Sequence, residues 1–454
     1  MQEFPLLSID YAQGCADMNF VFFYSAQKNG HRPSTFCIKQ SLLQVAAEQF
    51  PILLGHIYKI NDKKWKIIVD PDNINWPVVT EVHAKKHRIS QYRRDKFNWK
   101  RWPRETEFPD LHTYSSQPMV GVTIVRYACG GISIHTKIRH QCMDGNGVWR
   151  FYNAWSKQCC TANGKRARRL STISNEPPIL DRLSFLSKIQ QANSPTDGSA
   201  DTYMHEVELF LKEASMFTGY HDDAEDTFQV FRFSVTQKSM EMLKLFHGSP
   251  TNRPFEQSHE FPCTSYVSTS DLLCAIFWRA ITRAHLKLFP NDPHTCMMLA
   301  CDIRKRICVS QAYCGNASFP LIMHMRKAEM MRQSITSTAM HIRHHIGLLS
   351  AKFVHQVMEF LATPQSLQRL ISMFHPTKSF FSASIINKFP MFDMLNFGFG
   401  KPVHVDIPAY LNPGFSIWMP TRSQSQPLYV NLALNHKVFD IMQADSEFRR
   451  FIDI

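Results

Sequence analysis

A histidine and an aspartate four residues apart have the chemistry of an active site. His140 ends an apolar stretch, and Asp144 follows it in the turn-forming sequence DG. A positioned imidazole can take a proton from a hydroxyl or amine as that group attacks a carbonyl carbon, which contributes roughly 10²- to 10⁴-fold to a rate. An acid in the same turn is better placed to fix the backbone. The same pair is compatible with a structural histidine that bonds a backbone carbonyl. The surrounding sequence is therefore needed to distinguish a catalytic from a structural role.

The sequence around this pair predicts a strand, a tight turn and a helix. The patterns of 120–127 and 132–140 predict a hairpin, with Gly130 and Gly131 in its turn. Side chains alternate between the faces of a strand, so His140 ends an inward-facing apolar row. Apolar residues at helical spacing in 148–155 predict the helix. Similar patterns predict helices over 36–50, 236–246 and 268–288 and strands over 65–69, 228–235 and 428–434.

Two motifs resemble a known enzyme family. Residues 140–145, HQCMDG, match the pattern HxxxDG. Residues 396–402, NFGFGKP, resemble the pattern DFGWGKP, with Asn396 in place of the aspartate and Phe399 in place of the tryptophan. On both motifs the chain resembles the BAHD acyl-CoA-dependent acyltransferases. The substitutions remove a carboxylate and an indole N–H from the loop, and they favour a divergent, fungal-like member of the family.

Further segments follow the order of the same family along the chain. Residues 302–306, DIRKR, and 313–317, YCGNA, resemble its DxRxR and YFGNA segments. Residues 268–280 resemble its SSFD…WR helix. HxxxDG alone is shared with the condensation domains of peptide synthetases and with wax-ester synthases, so the combination with the 396–402 loop is the more specific indication.

The resemblance implies an α/β protein with the two-domain fold of chloramphenicol acetyltransferase. That fold has mixed β-sheets flanked by helices and a channel at the domain interface. The stretch 171–226 is rich in Pro, Gly and acidic residues, so we predict a crossover linker there. We expect an N-terminal domain, 1–170, with HxxxDG, and a C-terminal domain, 227–454, with the DFGWG-like loop, and some strand exchange between them.

The resemblance also implies roles for individual residues. His140 would be the general base that deprotonates the acceptor, and Asp144 would pair with Arg304 and organise the site. Ser384 falls near a family position whose hydroxyl donates to the oxyanion or to the substrate, and Lys401 would contact coenzyme A. Structural roles at the site are implied for Gly145, which leaves room for the thioester arm, and for Asp302, Arg304, Asn396, Gly398 and Gly400.

The 454-residue chain carries a formal net charge of +13. Such an excess permits a nucleic acid, an anionic membrane or a phosphorylated ligand as the partner. The densest basic runs, 85–88, 93–104 and 165–169, lie in polar, turn-forming sequence, and none follows one face of a helix. We therefore expect no nucleic-acid or membrane partner, and we interpret the charge as attraction for the phosphates of coenzyme A.

Cysteine and histidine spacing argue against a metal enzyme or a secreted scaffold. The 12 cysteines show no paired CxxC spacing, and no apolar run reaches transmembrane length, so we expect reduced thiols and a cytoplasmic protein. His341, His344 and His345 have helical spacing but no neighbouring carboxylate or cysteine, so we expect no metal site. Cys142, two residues from His140, is interpreted as a packing residue rather than a nucleophile.

The predicted function is an acyl-CoA-dependent O- or N-acyltransferase. The acyl group would pass directly from acyl-CoA, a co-substrate, to a small-molecule alcohol or amine in a ternary complex. We expect a monomer with no tightly bound cofactor. Two alternatives stay open: a condensation-type transferase that takes its acyl group from a carrier protein, and a catalytically impaired acyl-CoA-binding protein. The acceptor and the acyl chain stay open as well.

Overall fold

The computed structural model describes most of the chain, in two compact units. The first unit comprises Met1–Gln191, Ile307–Ser318 and Phe389–Ala409, and the second comprises Ala192–Arg306, Phe319–Lys388 and Tyr410–Ile454. The described residues are 1–11, 17–27, 34–61, 64–94, 117–162, 176–190, 199–216, 228–247, 266–361, 363, 378–407, 412–423 and 425–454.

Helices and strands alternate along the chain, as expected for an α/β protein. The first elements are β1 (Gln2–Pro5), α1 (Ser8–Tyr11), β2 (Asp17–Tyr24), α2 (Thr35–Gln49), β3 (His56–Asn61), β4 (Lys64–Val69), β5 (Val78–Ala84), α3 (Ile89–Arg94), β6 (Val120–Tyr127), β7 (Ile132–Arg139), α4 (Gly145–Ala162), α5 (Arg182–Gln190) and α6 (Ser199–Met216). The later elements are β8 (Phe228–Val235), α7 (Gln237–His247), α8 (Thr269–Leu288), β9 (His294–Asp302), β10 (Ser318–Arg326), α9 (Lys327–Arg332), α10 (Ile335–Leu348), α11 (Ala351–Leu361), β11 (Phe380–Ile385), α12 (Met391–Met394), β12 (His404–Asp406), β13 (Phe415–Trp418), β14 (Leu428–Asn435), α13 (His436–Gln443) and α14 (Ser446–Arg449). The predicted helices and strands are confirmed close to their expected bounds.

The first unit contains a five-stranded sheet in the order β12-β2-β7-β6-β5 and a three-stranded sheet in the order β1-β4-β3. The predicted hairpin is confirmed, because β6 and β7 pair antiparallel with Val120 opposite Ile138. Gly130 lies in its turn with a φ of 80°, a left-handed conformation that glycine adopts without strain. β2 pairs along the other edge of β7, so the strand that leads to His140 is central in the sheet.

Helices cover both faces of this sheet. Tyr152 of α4 meets Phe20 and Phe22 of β2 edge to face, with ring centroids 5.7 and 5.2 Å apart. On the opposite face, Tyr92 of α3 packs against Phe23 with the ring centroids 6.1 Å apart. The alternation of β7 predicts one buried apolar face, and the structure buries all eight residues because its polar face is covered as well.

The buried charges of β7 are paired across the sheet. Lys137 Nζ lies 3.1 Å from Asp17 Oδ2, and Arg139 Nε lies 3.9 Å from Asp17 Oδ1. Asp17 begins β2, directly opposite Arg139 in the strand register. A buried charge is tolerated when it is paired, so this cluster explains how basic residues fit into a covered strand.

The second unit is built on a six-stranded mixed sheet in the order β10-β9-β11-β13-β14-β8. β9, β11 and β13 run parallel, whereas β13, β14 and β8 pair antiparallel. Helix α8 begins with a capping box, in which the Ser268 hydroxyl accepts from Asp271 N–H and the Asp271 carboxylate accepts from Ser268 N–H. Phe277 of α8 stacks on Phe381 of β11, so the helix covers the sheet.

The two units divide the chain differently from the predicted boundaries at 170 and 227. Helix α5 belongs to the first unit and α6 to the second, so the predicted linker carries two helices. Ile179 forms a bridge with Tyr313, which anchors the segment before α5 in the first unit. β12, from the C-terminal half, pairs with β2. Residues 171–175, 191–198 and 217–226 of the predicted linker lie outside the described residues.

Among the helices of the described ranges, none combines the length and the apolar character needed to cross a membrane.

Candidate active site

His140 lies directly after β7, where the sheet ends and a turn leads into α4. The turn is closed by the Cys142 N–H, which donates to the Arg139 carbonyl at 3.1 Å. His140 is partly buried, whereas Gln141, Cys142 and the residues up to Asp144 are buried. The imidazole therefore stands at the end of a rigid strand.

Asn316 fixes the orientation of the His140 ring. Its Oδ1 lies 3.1 Å from His140 Nδ1, and its Nδ2 donates to the His140 carbonyl at 2.9 Å and to Asp10 Oδ1 at 2.7 Å. Both of these partners are acceptors, so the amide nitrogen must face them and Oδ1 must face the ring. His140 Nδ1 then carries the hydrogen, and Nε2 is the nitrogen that can accept a proton.

Asp144 binds backbone N–H groups on both sides of the turn. Its Oδ1 accepts from Gly147 N–H at 3.1 Å, and its Oδ2 accepts from Ala317 N–H at 2.9 Å. The first bond fixes the start of α4, and the second ties the turn to the segment that carries Asn316. The carboxylate thus acts as an acceptor for the backbone, as the sequence favours.

Glycines let two segments approach closely at this turn. A Cβ at Gly147 would lie 2.5 Å from the Cys314 carbonyl oxygen and 2.7 Å from Met143 Cβ. A Cβ at Gly145 would lie 3.3 Å from the ring of Phe389, a less severe contact. Gly147 is therefore required by packing, whereas the expected role of Gly145 beside the thioester arm stays a prediction.

Burial shifts the pKa values of two side chains in this turn. It lowers the pKa of His140 from the ordinary value of 6.5, and Asp144 and Asn316 partly oppose this effect. It raises the pKa of the fully buried Cys142 to about 12. The histidine is therefore neutral, as a general base must be, and the thiol is protonated at neutral pH. Cys142 is a packing residue rather than a nucleophile.

The loop 396–402 is closed by its first side chain. Asn396 Oδ1 accepts from Gly398 N–H at 2.9 Å and from Gly400 N–H at 2.8 Å. Both glycines have left-handed φ angles, 91° and 86°, which turn their N–H groups toward the amide oxygen. Asparagine keeps an acceptor oxygen where the motif has aspartate, so the substitution preserves these two bonds.

The two phenylalanines of the loop are buried. The Phe397 ring lies 4.6 Å from that of Trp155 in α4, and the Phe399 ring lies 5.8 Å from that of Tyr24 in β2. Phe399 stands where the motif has tryptophan and supplies packing without an indole N–H. The loop is therefore packed against α4 and β2, and the structural role that the resemblance implies for it at the site stays a prediction.

Lys401 lies at the surface beside this loop. Its Nζ pairs with Asp393 Oδ1 at 2.6 Å, and both side chains are about half exposed. Such a pair contributes little to stability, so Lys401 can exchange this partner at small cost. Its predicted contact with coenzyme A stays a prediction.

Three predicted site residues lie in the second unit. Arg304 is fully buried, and its Nη1 donates to Asp302 Oδ1 at 3.1 Å. Ser384 lies in β11 opposite Ile417 and is partly buried. The predicted pair between Asp144 and Arg304 joins residues of different units and stays a prediction, as does the role of Ser384.

The histidines of α10 pack against one another. The ring centroids of His341 and His345 lie 4.4 Å apart, and His345 Nδ1–H donates to the His341 carbonyl at 2.9 Å. Burial lowers the pKa of His345 to about 4. Within the described ranges, no group of three or more potential ligands is arranged to hold a metal ion.

Comparisons with known proteins identify the family. The model of the Transferase family matches residues 106–449, more than half of the chain. This chain belongs to that family, the BAHD acyltransferases. It is therefore an acyltransferase that uses acyl-CoA as co-substrate and a hydroxyl or amine as acceptor.

The similar proteins are distant. The chain is 22% identical over 331 residues to shikimate O-hydroxycinnamoyltransferase of Nicotiana tabacum, covering 72% of this chain and 69% of that enzyme. It is 22% identical over 330 residues to anthranilate N-benzoyltransferase protein 1 of Dianthus caryophyllus, covering 71% and 66%. F. graminearum TRI101, crystallised with coenzyme A and T-2 mycotoxin, superposes with a TM-score of 0.72 at 18% identity, covering 100% and 99%. The last likeness shows the shared BAHD fold.

Two charged residues of this BAHD site escape prediction from sequence. Asp10 and Arg182 form a buried ion pair, with Arg182 Nε 3.2 Å from Asp10 Oδ2. The sequence offers only a weak signal: Asp10 follows the mostly apolar stretch 4–9, where a lone acid would need a buried partner. Asn316 falls in the YCGNA segment, but its bond to His140 requires the fold.

Two glycines within helices, Gly147 of α4 and Gly347 of α10, predict opposite effects of alanine. We expect Gly147→Ala to lower the free energy of unfolding because its Cβ meets the Cys314 carbonyl. A Cβ at Gly347 meets nothing within 4 Å. We expect Gly347→Ala to raise the free energy of unfolding by up to about 1 kcal/mol, because alanine has the higher helix propensity. Urea denaturation at an unchanged m-value measures both, and equal effects would contradict the packing argument.

The Asn396 bonds predict a difference between two substitutions in the BAHD loop. Asn396→Ala leaves the N–H groups of Gly398 and Gly400 without this acceptor and should cost about 1–3 kcal/mol. Asn396→Asp keeps the acceptor and restores the motif, so its denaturation midpoint should stay near that of the wild type. A similar loss in both variants would show that the amide's shape, and not its oxygen, matters.

Proposed function

We propose that His140 is the general base of this BAHD acyltransferase and that it acts on a ternary complex of enzyme, acyl-CoA and acceptor. One observation carries the proposal: the ring is held through Nδ1 by Asn316 Oδ1, which leaves Nε2 to accept a proton. Burial supports it by keeping the imidazole neutral. Asp144 accepts backbone N–H groups and takes no part in the proton transfer.

The reaction then proceeds by direct transfer. His140 Nε2 takes the proton of the acceptor's O–H or N–H as that atom bonds to the thioester carbonyl carbon. The tetrahedral intermediate collapses and its C–S bond breaks. The imidazolium returns the proton to the sulfur, which leaves as the free thiol of coenzyme A, and the histidine is neutral again. No covalent acyl-enzyme forms, which agrees with the protonated state of Cys142.

Residues beyond the base complete the proposal. Ser384 donates to the oxyanion or to the substrate, and Arg304 pairs with Asp144. Lys401 contacts a phosphate of coenzyme A, for which it has an exposed ammonium group. The net charge of +13 supports an anionic donor of this kind. We further propose that the protein is a cytoplasmic monomer. Size-exclusion chromatography with light scattering tests the oligomeric state.

The acceptor is proposed only as a class, a small-molecule alcohol or amine. The relatives are named for O-hydroxycinnamoyl and N-benzoyl transfer, so both atoms are reasonable nucleophiles. A screen of acyl-CoA donors against pooled alcohols and amines, with products identified by mass, would define the pair. Carrier-bound donors at equal concentration form the comparison, because preference for them would favour the condensation-type alternative. Tight acyl-CoA binding without turnover would favour a binding protein.

Replacement of the base tests the mechanism. We expect His140→Ala to lower the rate of coenzyme A release by about 10²-fold or more, because the acceptor is no longer deprotonated. Acyl-CoA binding should be unchanged. A thiol-trapping assay with the donor and acceptor from the screen measures the rate. His83→Ala, which removes an exposed histidine of β5, is the matched control. Activity within a few-fold of the wild type in His140→Ala would refute the assignment.

The pH dependence tests the same base in a second way. Because burial holds the pKa of His140 below 6.5, the ring stays neutral as the pH falls through that value. We expect kcat/KM to be flat at neutral pH and to decline along an acid limb with its midpoint below 6.5. Rates measured between about pH 5 and 8 define this limb. A midpoint above 6.5 would contradict the assignment of His140 as the base.

A further inference from the structure

A buried ion pair lies behind the His140 ring. The side chains of Asp10 and Arg182 are both 0% exposed, and Arg182 Nε lies 3.2 Å from Asp10 Oδ2. Asp10 Oδ1 accepts from Asn316 Nδ2 at 2.7 Å, and Asn316 Oδ1 lies 3.1 Å from His140 Nδ1. Burial removes the hydration of both charges, and this cost offsets much of their attraction, so the pair is weak evidence for a role in stability. Its link to His140 through Asn316 indicates a different role.

Each oxygen of Asp10 has a defined role. Oδ2 accepts from Leu7 N–H at 2.8 Å as well as from Arg182, whereas Oδ1 faces Asn316. Both hydrogens of the Asn316 amide are thereby directed, one to Asp10 and one to the His140 carbonyl. Only an acceptor at Asp10 Oδ1 is compatible with this orientation of the amide.

Arg182 also binds the backbone of the turn itself. Its Nη2 donates to the Cys142 carbonyl at 2.6 Å and to the Gln141 carbonyl at 3.3 Å. These residues follow His140 directly. Phe185, one turn further along α5, stacks on Tyr313 with the ring centroids 4.7 Å apart, which holds the helix on the segment of Asn316.

We infer that Asp10 and Arg182 are positioning residues for the base. The pair holds the Asn316 amide in the orientation that keeps the His140 hydrogen on Nδ1, and Arg182 fixes the turn on which His140 stands. This inference rests on the proposed role of His140. It extends the functional site to α1 and α5, far from HxxxDG in the sequence.

An isosteric change at Asp10 reverses the chain of bonds. In Asp10→Asn, the Leu7 N–H and Arg182 hold the amide oxygen at the position of Oδ2. The new NH₂ group then faces the NH₂ group of Asn316 across the shorter of its two contacts, so we expect that amide to turn and present its oxygen, at the cost of its bond to the His140 carbonyl. Its own NH₂ then faces His140 Nδ1, and the ring hydrogen moves to Nε2. The nitrogen that should accept the acceptor's proton is blocked.

The experiment compares Asp10→Asn with Asp181→Asn, an isosteric change at an exposed residue beside Arg182. Proteins labelled with ¹⁵N-histidine give the protonation of each ring nitrogen from long-range ¹H–¹⁵N spectra. The His140 signals are those missing from His140→Gln. We expect the wild type and Asp181→Asn to show hydrogen on Nδ1, and Asp10→Asn to show it on Nε2. We also expect kcat/KM to fall by about 10²-fold or more in Asp10→Asn, with the KM for acyl-CoA unchanged.

Several results would overturn the inference. One is activity in Asp10→Asn within a few-fold of the wild type. Another is a loss of activity while the hydrogen stays on Nδ1, which indicates a merely structural role. A third is a shift of the acid limb with an unchanged plateau, which indicates an effect of charge alone. If His140→Gln itself keeps activity, the proposed function fails instead, so the two failures are distinguishable.

A second variant covers the case in which Asp10→Asn does not fold. Asp10→Leu combined with Arg182→Met removes both charges, and apolar replacements of a buried pair are often tolerated. The Asn316 amide then loses its shortest bond and keeps the His140 carbonyl at 2.9 Å and a long contact to the Gln141 carbonyl at 3.5 Å. We expect both ring forms of His140 and a lowered kcat. A folded double variant with the wild-type ring form and activity would refute the inference.

Discussion

The backbone turn after His140 is the constraint on which the site depends. A strand fixes the Cα of its last residue, but the side chain beyond the sheet is oriented only by the bonds it makes. Here Asn316 binds the carbonyl and the ring of His140, Arg182 binds the next two carbonyls, and Asp144 ties the far end of the turn to Ala317. Three segments distant in sequence therefore share one rigid junction.

Local sequence signals predict the part of the fold that carries His140. Strands β6 and β7 follow from alternation and the Gly130-Gly131 turn, and α4 follows from its helical spacing. These elements were predictable because each signal lies within about twenty residues of the next, where turn chemistry and periodicity act directly. The motif then singles out His140 and Asp144, and the structure places both at the end of β7.

Interactions between distant segments could not be predicted in the same way. Nothing local in the sequence connects Asp10 with Arg182 or Lys137 with Asp17, because each pairing is created by the sheet and the helices around it. The loop at 396–402 illustrates the converse. Its sequence suggests a lost carboxylate function, yet Asn396 retains the acceptor that closes the loop, because the acceptor oxygen and not the charge is what the backbone N–H groups require.

The strand order of the first unit has a consequence for the order of events during synthesis. β2 lies between β7 and β12, and β12 begins only at His404. While the ribosome is still making the C-terminal half, one edge of β2 has no neighbour, and an open strand edge is a site of aggregation. The backbone N–H and C=O groups along that edge of β2 therefore stay open to pairing until residues 404–406 have been made and can cover them.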